Sequence, residues 1–305
     1  MNMPRIELLM CPPVHVKAHP IKREYNKYQR EENQPSIAGA MGEWAELLRK
    51  VNRAGAKVHI IGPREGLGDM QFAANAMWGR GGDHVFVMSN HAPEHRRPER
   101  QHYASWLVDN GYSVLFLNPK DEEGEIFEDL FFAGQGMVVS TPNQYFIGHN
   151  PRTTLLAIDR IQKELHLSKE VVPLKLPDDG SFYDLDVVMH YSREADEILF
   201  YPGAFDKEGL WALEHARVSR ITTVSRISSV MQYIEEEDSY NFTLNAPYIE
   251  NVEIFPRRGP VSSLPKEIRE LEKHGKHKNI EIATIHLPQH GKLGGGARCL
   301  IGFLT

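Results

Sequence analysis

What this chain has least of is cysteine: Cys11 and Cys299 are the two among 305 residues. A single pair makes no disulfide framework, so a reducing compartment is the expected setting. Long apolar runs are missing as well. No stretch approaches the roughly 20 residues that span a bilayer, and the opening Met1-Asn2-Met3-Pro4-Arg5 lacks the long apolar region of a signal peptide. Together these absences predict a cytoplasmic protein without a membrane partner. Nor is there a surplus of positive charge: 35 Lys and Arg against 41 Asp and Glu give a formal charge of -6, which offers nucleic acid no broad electrostatic attraction. Two local basic clusters, His95-Arg96-Arg97 and residues 273–278, read most simply as solvated loops. No GxGxxG follows a strand-like run, and GxxxxGK[ST] does not occur. The 15 histidines form no HExxH and no close set with cysteine. Neither a metal nor a nucleotide cofactor is therefore expected.

What remains is ample material for a large core. The chain is 41% hydrophobic and 25% charged, a soluble globular profile. Strand-like runs fall at residues 6–10, 57–62, 84–89, 112–118, 136–140, 170–176, 197–201, 220–224, 252–255 and 280–286. Helical patterns occupy 43–55, 97–110, 152–165, 207–217, 225–236 and 265–275. In the first of these, Trp44, Leu47, Leu48 and Val51 share one face, and Gly55 is placed to terminate it. Helices between neighbouring strands predict an α/β fold with substantial parallel pairing. No low-complexity linker divides the chain, so 1–305 reads as one domain.

Near the end stands Lys292-Leu293-Gly294-Gly295-Gly296-Ala297-Arg298-Cys299. Three glycines give a sterically open turn that brings backbone close to whatever the sulfur attacks. A buried packing cysteine behind a glycine turn fits the same residues, and for Cys11, beside Pro12-Pro13, packing is the better reading. Asp69, in Gly66-Leu67-Gly68-Asp69, has an ordinary turn role open to it. Arg152 has a place at the start of a surface helix, and Asn75 one tying a loop through its side chain.

Several ordered blocks decide among these readings. They include Leu9-Met10-Cys11-Pro12-Pro13, Gly68-Asp69-Met70-Gln71-Phe72-Ala73-Ala74-Asn75 and Pro98-Glu99-Arg100-Gln101-His102-Tyr103. Gly148-His149-Asn150-Pro151-Arg152-Thr153, Phe182-Tyr183-Asp184-Leu185-Asp186, Leu244-Asn245-Ala246 and the closing Gly294 to Cys299 continue the series. In this order they resemble the guanidino-modifying superfamily of dimethylarginine dimethylaminohydrolase, arginine deiminase and the amidinotransferases. The resemblance implies a pentein fold, a five-fold pseudosymmetric α/β propeller of ββαβ-type units around a polar channel. It implies that Cys299 attacks the central carbon of a guanidine or amidine, and that the thiouronium so formed passes to water or to an amine. By the same match Asp69 and Asp186 are the carboxylates that grip the planar cation. Arg152 holds a substrate carboxylate, and Phe72 and Asn75 line the substrate site. A small guanidine or amidine is the implied partner, and no cofactor is. A homo-oligomer stays compatible with all of this.

Two positions depart from the pattern. Where the family carries histidine in Phe-Tyr-X-Leu-Asp, as general acid and base, this chain has Asp184. At its usual pKa a carboxyl is ionised at neutral pH and protonates an amine poorly. Crowding by Asp69, Asp186 and a glutamate works against that. Asp184 is thus read as an altered acid/base, with His149 or His190 as substitutes and loss of hydrolysis as the remaining outcome. The glutamate that would orient the histidine falls in Glu125-Ile126-Phe127-Glu128-Asp129, where spacing favours Glu125 over Glu128. The expectation is a cysteine-dependent C–N hydrolase of an arginine-like molecule, with amidino transfer and non-catalytic binding of a cation as its rivals.

Overall fold

The computed structural model describes residues 5–79, 84–119, 129–226, 231–234, 239–274 and 280–305. Ser36 opens the first helix, α1 (Ile37–Arg53), by accepting a hydrogen bond from the Gly39 N–H at 3.3 Å. Trp44, Leu47 and Val51 bury one face of it against Leu8, Met10 and Ile301. The helix ends before Gly55, whose φ of +104° is free of strain because glycine has no Cβ. This helix connects β1 (Glu7–Met10) to β2 (Lys57–Ile60), which pair in parallel.

The same unit then recurs. Strands β3 (Met77–Gly79), β4 (Val85–Met88) and β5 (Ser113–Leu115) form the second, with α2 (Glu99–Asp109) between β4 and β5. The third is β6 (Val138–Ser140), β7 (Gln144–His149) and β8 (Glu170–Lys175), with α3 (Leu155–Glu164). The fourth is β9 (Met189–Ser192), β10 (Glu197–Phe200) and β11 (Arg220–Thr223), with α4 (Lys207–Glu214) capped by Asp206. A hairpin, β12 (Met231–Ile234) with β13 (Ser239–Phe242), precedes the fifth. That unit is β14 (Tyr248–Ile249), β15 (Val252–Pro256) and β16 (Glu281–Ile285), with the short α5 (Lys266–Arg269) and α6 (Leu271–His274). After α7 (Pro288–Lys292), the last strand β17 (Gly302–Phe303) pairs antiparallel with β1 and supplies the first unit's missing strand.

Every unit therefore has one parallel and one antiparallel pair around its central strand. Five such units make the pseudosymmetric α/β propeller expected of a pentein, closed where the end of the chain meets its beginning. The expected helix over 225–236 is a correction: Met231–Ile234 is a strand of the hairpin. Strands β3, β7, β9, β13, β14 and β17 were not foreseen. Five of them have four residues or fewer, too few to display a period of two.

Candidate active site

The short inner strands organise the site. The segments just before β17, β3, β6, β9 and β14 carry Cys299, Asn75, Gly136, Asp184 with Asp186, and Asn245. Pseudosymmetry brings these five segments to the axis, where they join in a ring. The Cys299 carbonyl accepts from the Ala74 N–H at 3.1 Å. Asn75 Nδ2 donates to the Ala133 carbonyl at 3.1 Å and to Asp184 Oδ2 at 3.0 Å. A Cβ on Gly136 would stand 2.7 Å from Asn75 Nδ2 and 2.9 Å from Asp184 Oδ2, so this position admits no side chain. Asn245 Nδ2 donates to the Asp186 carbonyl at 3.4 Å, and Asn245 Oδ1 accepts the Cys299 N–H at 3.1 Å. The ring is closed.

Each glycine of the final turn has its own cause. Gly294 is left-handed, with φ +89°. A Cβ on Gly295 would lie 2.3 Å from the Phe72 ring, and one on Gly296 would lie 2.6 Å from Asn245 Oδ1. The Tyr183 hydroxyl donates to the Gly294 carbonyl. The turn is thus pressed between Phe72, Tyr183 and Asn245, and it presents Cys299 at one floor of the ring.

On that side lies a nearly filled pocket of about 20 Å³. Cys299, Asp69, Phe72, Asn75 and Arg152 line it, as do Arg96, Tyr183, Asn26 and Gln29. Five expected residues are therefore brought together around one space. Asp69, buried, accepts from Gln29 Nε2 at 3.0 Å and pairs with His95 Nε2 at 3.0 Å. Burial alone would raise its pKa, but the His95 hydrogen bond and the Arg96 charge outweigh burial and hold it below the ordinary value. Arg152 lies 4.9 Å over the Tyr183 ring, donates to the Tyr25 carbonyl at 3.4 Å and stands 3.4 Å from Asp184 Oδ1.

Other placements differ from a simple acidic pocket. Asp184 is fully buried behind Asn75 and Gly136, outside the pocket wall. Asp186 faces a second space on the opposite side of the ring. Burial and the neighbouring Asp184 charge push its pKa well up. Burial, with Asp186 and Asp184 next in effect, likewise raises the Cys299 thiol well above its ordinary value. Without a bound cation the sulfur is a thiol. His149 sits half-buried at the end of β7, and His190 pairs with Glu253 at 2.9 Å; neither lines the Cys299 pocket. Glu125 and Glu128 lie outside the described residues.

Arg96 was missed, and its cluster is a second correction. It is buried, not solvated, because Glu99 receives it bidentately at 3.0 Å and 3.0 Å, Asn75 Oδ1 at 3.2 Å and the Asp69 carbonyl at 3.3 Å. The three-residue spacing from Arg96 to Glu99 was the available signal. Asn26 and Gln29 come from the irregular segment after β1 and carry no pattern that would announce them. Asn245 belonged to a quoted block, but nothing in the sequence said what it would hold.

A cysteine facing carboxylate, amide and two guanidinium groups, at the axis of a five-fold α/β propeller, defines a pentein of the guanidino-modifying class. The chain belongs to the family described as N,N dimethylarginine dimethylhydrolase, eukaryotic, whose profile matches residues 13–304. It is similar to the bifunctional arginine dihydrolase/ornithine cyclodeaminase ArgZ of Synechocystis, with 29% identity over 97% of this chain and 37% of that protein. It is also similar to the N(G),N(G)-dimethylarginine dimethylaminohydrolase of Mycobacterium tuberculosis, 30% identical over 54% of this chain and 49% of that one. The chain thus spans well under two thirds of either. Among solved structures, the product-bound N-terminal domain of cyanobacterial ArgZ superposes with a TM-score of 0.81 at 25% identity, covering 99% of this chain and 98% of that one. The same domain with an asparagine replaced by serine is covalently bound to a reaction intermediate.

Proposed function

We propose that residues 1–305 form one catalytic domain that hydrolyses a guanidino C–N bond of an arginine-like small molecule through Cys299. The observation that carries this is Cys299 at the floor of a narrow pocket whose wall pairs Asp69 and Asn75 with Arg96 and Arg152. Such a wall suits a molecule with a flat cation at one end and a carboxylate at the other. The carboxylate goes to Arg152, and the guanidinium stacks between the sulfur and the Asp69–Asn75 edge. The two relatives named above act on arginine and on dimethylarginine, which makes these the substrates to try first.

In this mechanism the arriving cation offsets the negative charge of Asp184 and Asp186 and stabilises the thiolate. Sγ forms a bond to the guanidinium carbon. The bond from that carbon to one nitrogen breaks, and the departing amine keeps the electron pair and takes a proton. Water then adds to the thiouronium carbon, the C–S bond breaks, and the thiolate is restored. Asp184, in the position where the family keeps histidine, is the group we assign to proton transfer, through water admitted beside Arg152, 3.4 Å from its Oδ1. Asp186 enters through its charge, which is the largest influence on the Cys299 thiol after burial. Phe72 excludes water from one side.

Incubation with arginine and with methylated arginines, followed by assay of released ammonia or methylamines, tests this. Turnover that disappears in Cys299→Ser supports hydrolysis. Tight binding without product, in the unsubstituted chain, would favour a non-catalytic pentein, and guanidino transfer to an added amine would favour an amidinotransferase.

A further inference from the structure

Helix α7 leads straight into the glycine turn, and what holds it comes from the first helix of the chain. Glu43 of α1 accepts the Gln289 N–H at 2.8 Å through Oε1 and the His290 N–H at 3.2 Å through Oε2. The same Oε2 lies 2.7 Å from His290 Nδ1. A carboxylate only accepts, so Nδ1 carries the hydrogen, and one glutamate meets both the main chain and the ring of one histidine. Gln289 returns the tie: its Oε1 accepts the Ser36 N–H at 2.7 Å, at the cap of α1. A helix of five residues has no stability of its own. Its place is set by these contacts, 246 and 247 residues away in sequence.

His290 in turn holds the loop that carries the sulfur. Its carbonyl accepts the Leu293 N–H at 3.0 Å and the Gly295 N–H at 2.9 Å, which uses both lone pairs. Leu293 and Gly295 both line the Cys299 pocket. The His290 ring is fully buried, and among the described residues its Nε2 has no hydrogen-bond partner. A buried unpaired nitrogen is a cost that a leucine in this place would avoid. What imidazole supplies in return is the Nδ1 bond to Glu43. We infer that Glu43 and His290 are positioning residues for the Cys299 reaction, fixing through the His290 carbonyl the height at which the glycine turn presents the sulfur. Neither lines the pocket, so they act on the attack by Sγ and leave the grip of Asp69 and Arg152 on the substrate unchanged. A misplacement of reacting atoms by about 1 Å costs on the order of 10²-fold in rate. Both roles rest on the reading of Cys299 as the nucleophile, and they require neither hydrolysis nor a particular substrate.

Chloroacetamidine is the probe: a small planar cation whose CH₂ carbon forms a bond to Sγ while chloride leaves with the bonding electrons. Its reaction, located at Cys299 by peptide mass, gives a half-saturation concentration and a maximal rate without any turnover. His290→Leu removes the bond to Glu43, whereas His290→Asn keeps an N–H donor at the δ position. The expected result is a maximal rate lowered about tenfold or more in His290→Leu, with half-saturation within about twofold of the parent, and most of the rate restored in His290→Asn. A His290→Leu protein that melts at a lower temperature yet reacts at the parent's maximal rate would reduce the pair to a structural tie and overturn the inference. So would a loss confined to half-saturation. Should His290→Leu fail to melt cooperatively, Glu43→Gln decides, because it keeps one acceptor oxygen. A maximal rate lowered about threefold or more, the loss of one ordinary hydrogen bond, supports the inference, and an unchanged rate refutes it. These outcomes leave the nucleophile reading standing; a parent chain whose Cys299 never reacts would overturn that reading and the inference with it.

Discussion

The two spaces on either side of the axial ring share a wall and little else. The Cys299 pocket has about 20 Å³ free, and its carboxylate, Asp69, is already held by Gln29, His95 and Arg96. The rear cavity has about 270 Å³, and its carboxylate, Asp186, accepts no short hydrogen bond among the described residues and is steadied by the Arg298 charge instead. One side is fixed by direct contacts in advance of its ligand; the other is held by charge alone. Preorganisation explains the first, since groups positioned before binding need not be ordered during reaction. Asn26 and Gln29, from the irregular segment after β1, line the same pocket.

The largest expected difference between the two sides is in turnover. Cys299→Ser should reduce it on the order of 10⁴-fold or more, as loss of a nucleophile does, whereas the milder Tyr191→Phe on the rear wall should leave the Cys299-dependent step measurable in a steady-state assay. Next comes Asp184. Asp184→Asn keeps the shape and the bond from Asn75 but removes proton transfer, so a loss of about 10²–10⁴ in kcat is expected. An unchanged kcat would remove Asp184 from the chemistry.

Third, Gly295→Ala puts a methyl into the Phe72 ring. It should lower stability by about 1–3 kcal/mol, read by denaturant melting, and reduce turnover because the ring is pushed into the pocket. The smallest effect separates the two carboxylates by sign. The pKa of Asp69 is lowered in the fold, so its contribution is present above the unfolded value of about 3.9 and is lost as pH falls through the folded one. Asp69→Asn should therefore destabilise at pH 7, with the difference shrinking in acid. Asp186 has a raised pKa, so its cost is absent in acid and grows as pH rises above about 3.9. Asp186→Asn should raise Tm at pH 7, by at most about 2–4 °C for each kcal/mol relieved. Equal signs for the two would erase the contrast.

Much of this was legible in the sequence, and the boundary has a physical cause. Parallel pairs joined by amphipathic helices announce themselves, as α1 does through Trp44, Leu47 and Val51. Of the inner strands only β6 does; β14 and β17 have two residues each. Yet these strands set the ring, so the relation of Cys299 to Asn245 and of Asn75 to Asp184 could be seen only in three dimensions. Cys299, Asp69, Phe72, Asn75 and Arg152 were found through short blocks carrying their chemistry. Arg96 was hidden in a charge cluster that resembles any exposed loop. Asp186 stands two residues from Asp184, and nothing in the string says that Asp186 lines a cavity while Asp184 is enclosed by Asn75 and Gly136.

The most direct test is the mass of the intact protein during turnover of arginine, quenched in acid on the millisecond-to-second scale. A covalent adduct that maps to Cys299, rises and decays with product formation, and is missing in Cys299→Ser is the predicted result. Product formed by a chain in which Cys299 never gains mass, or in which Cys299→Ser turns over at the parent rate, would contradict it.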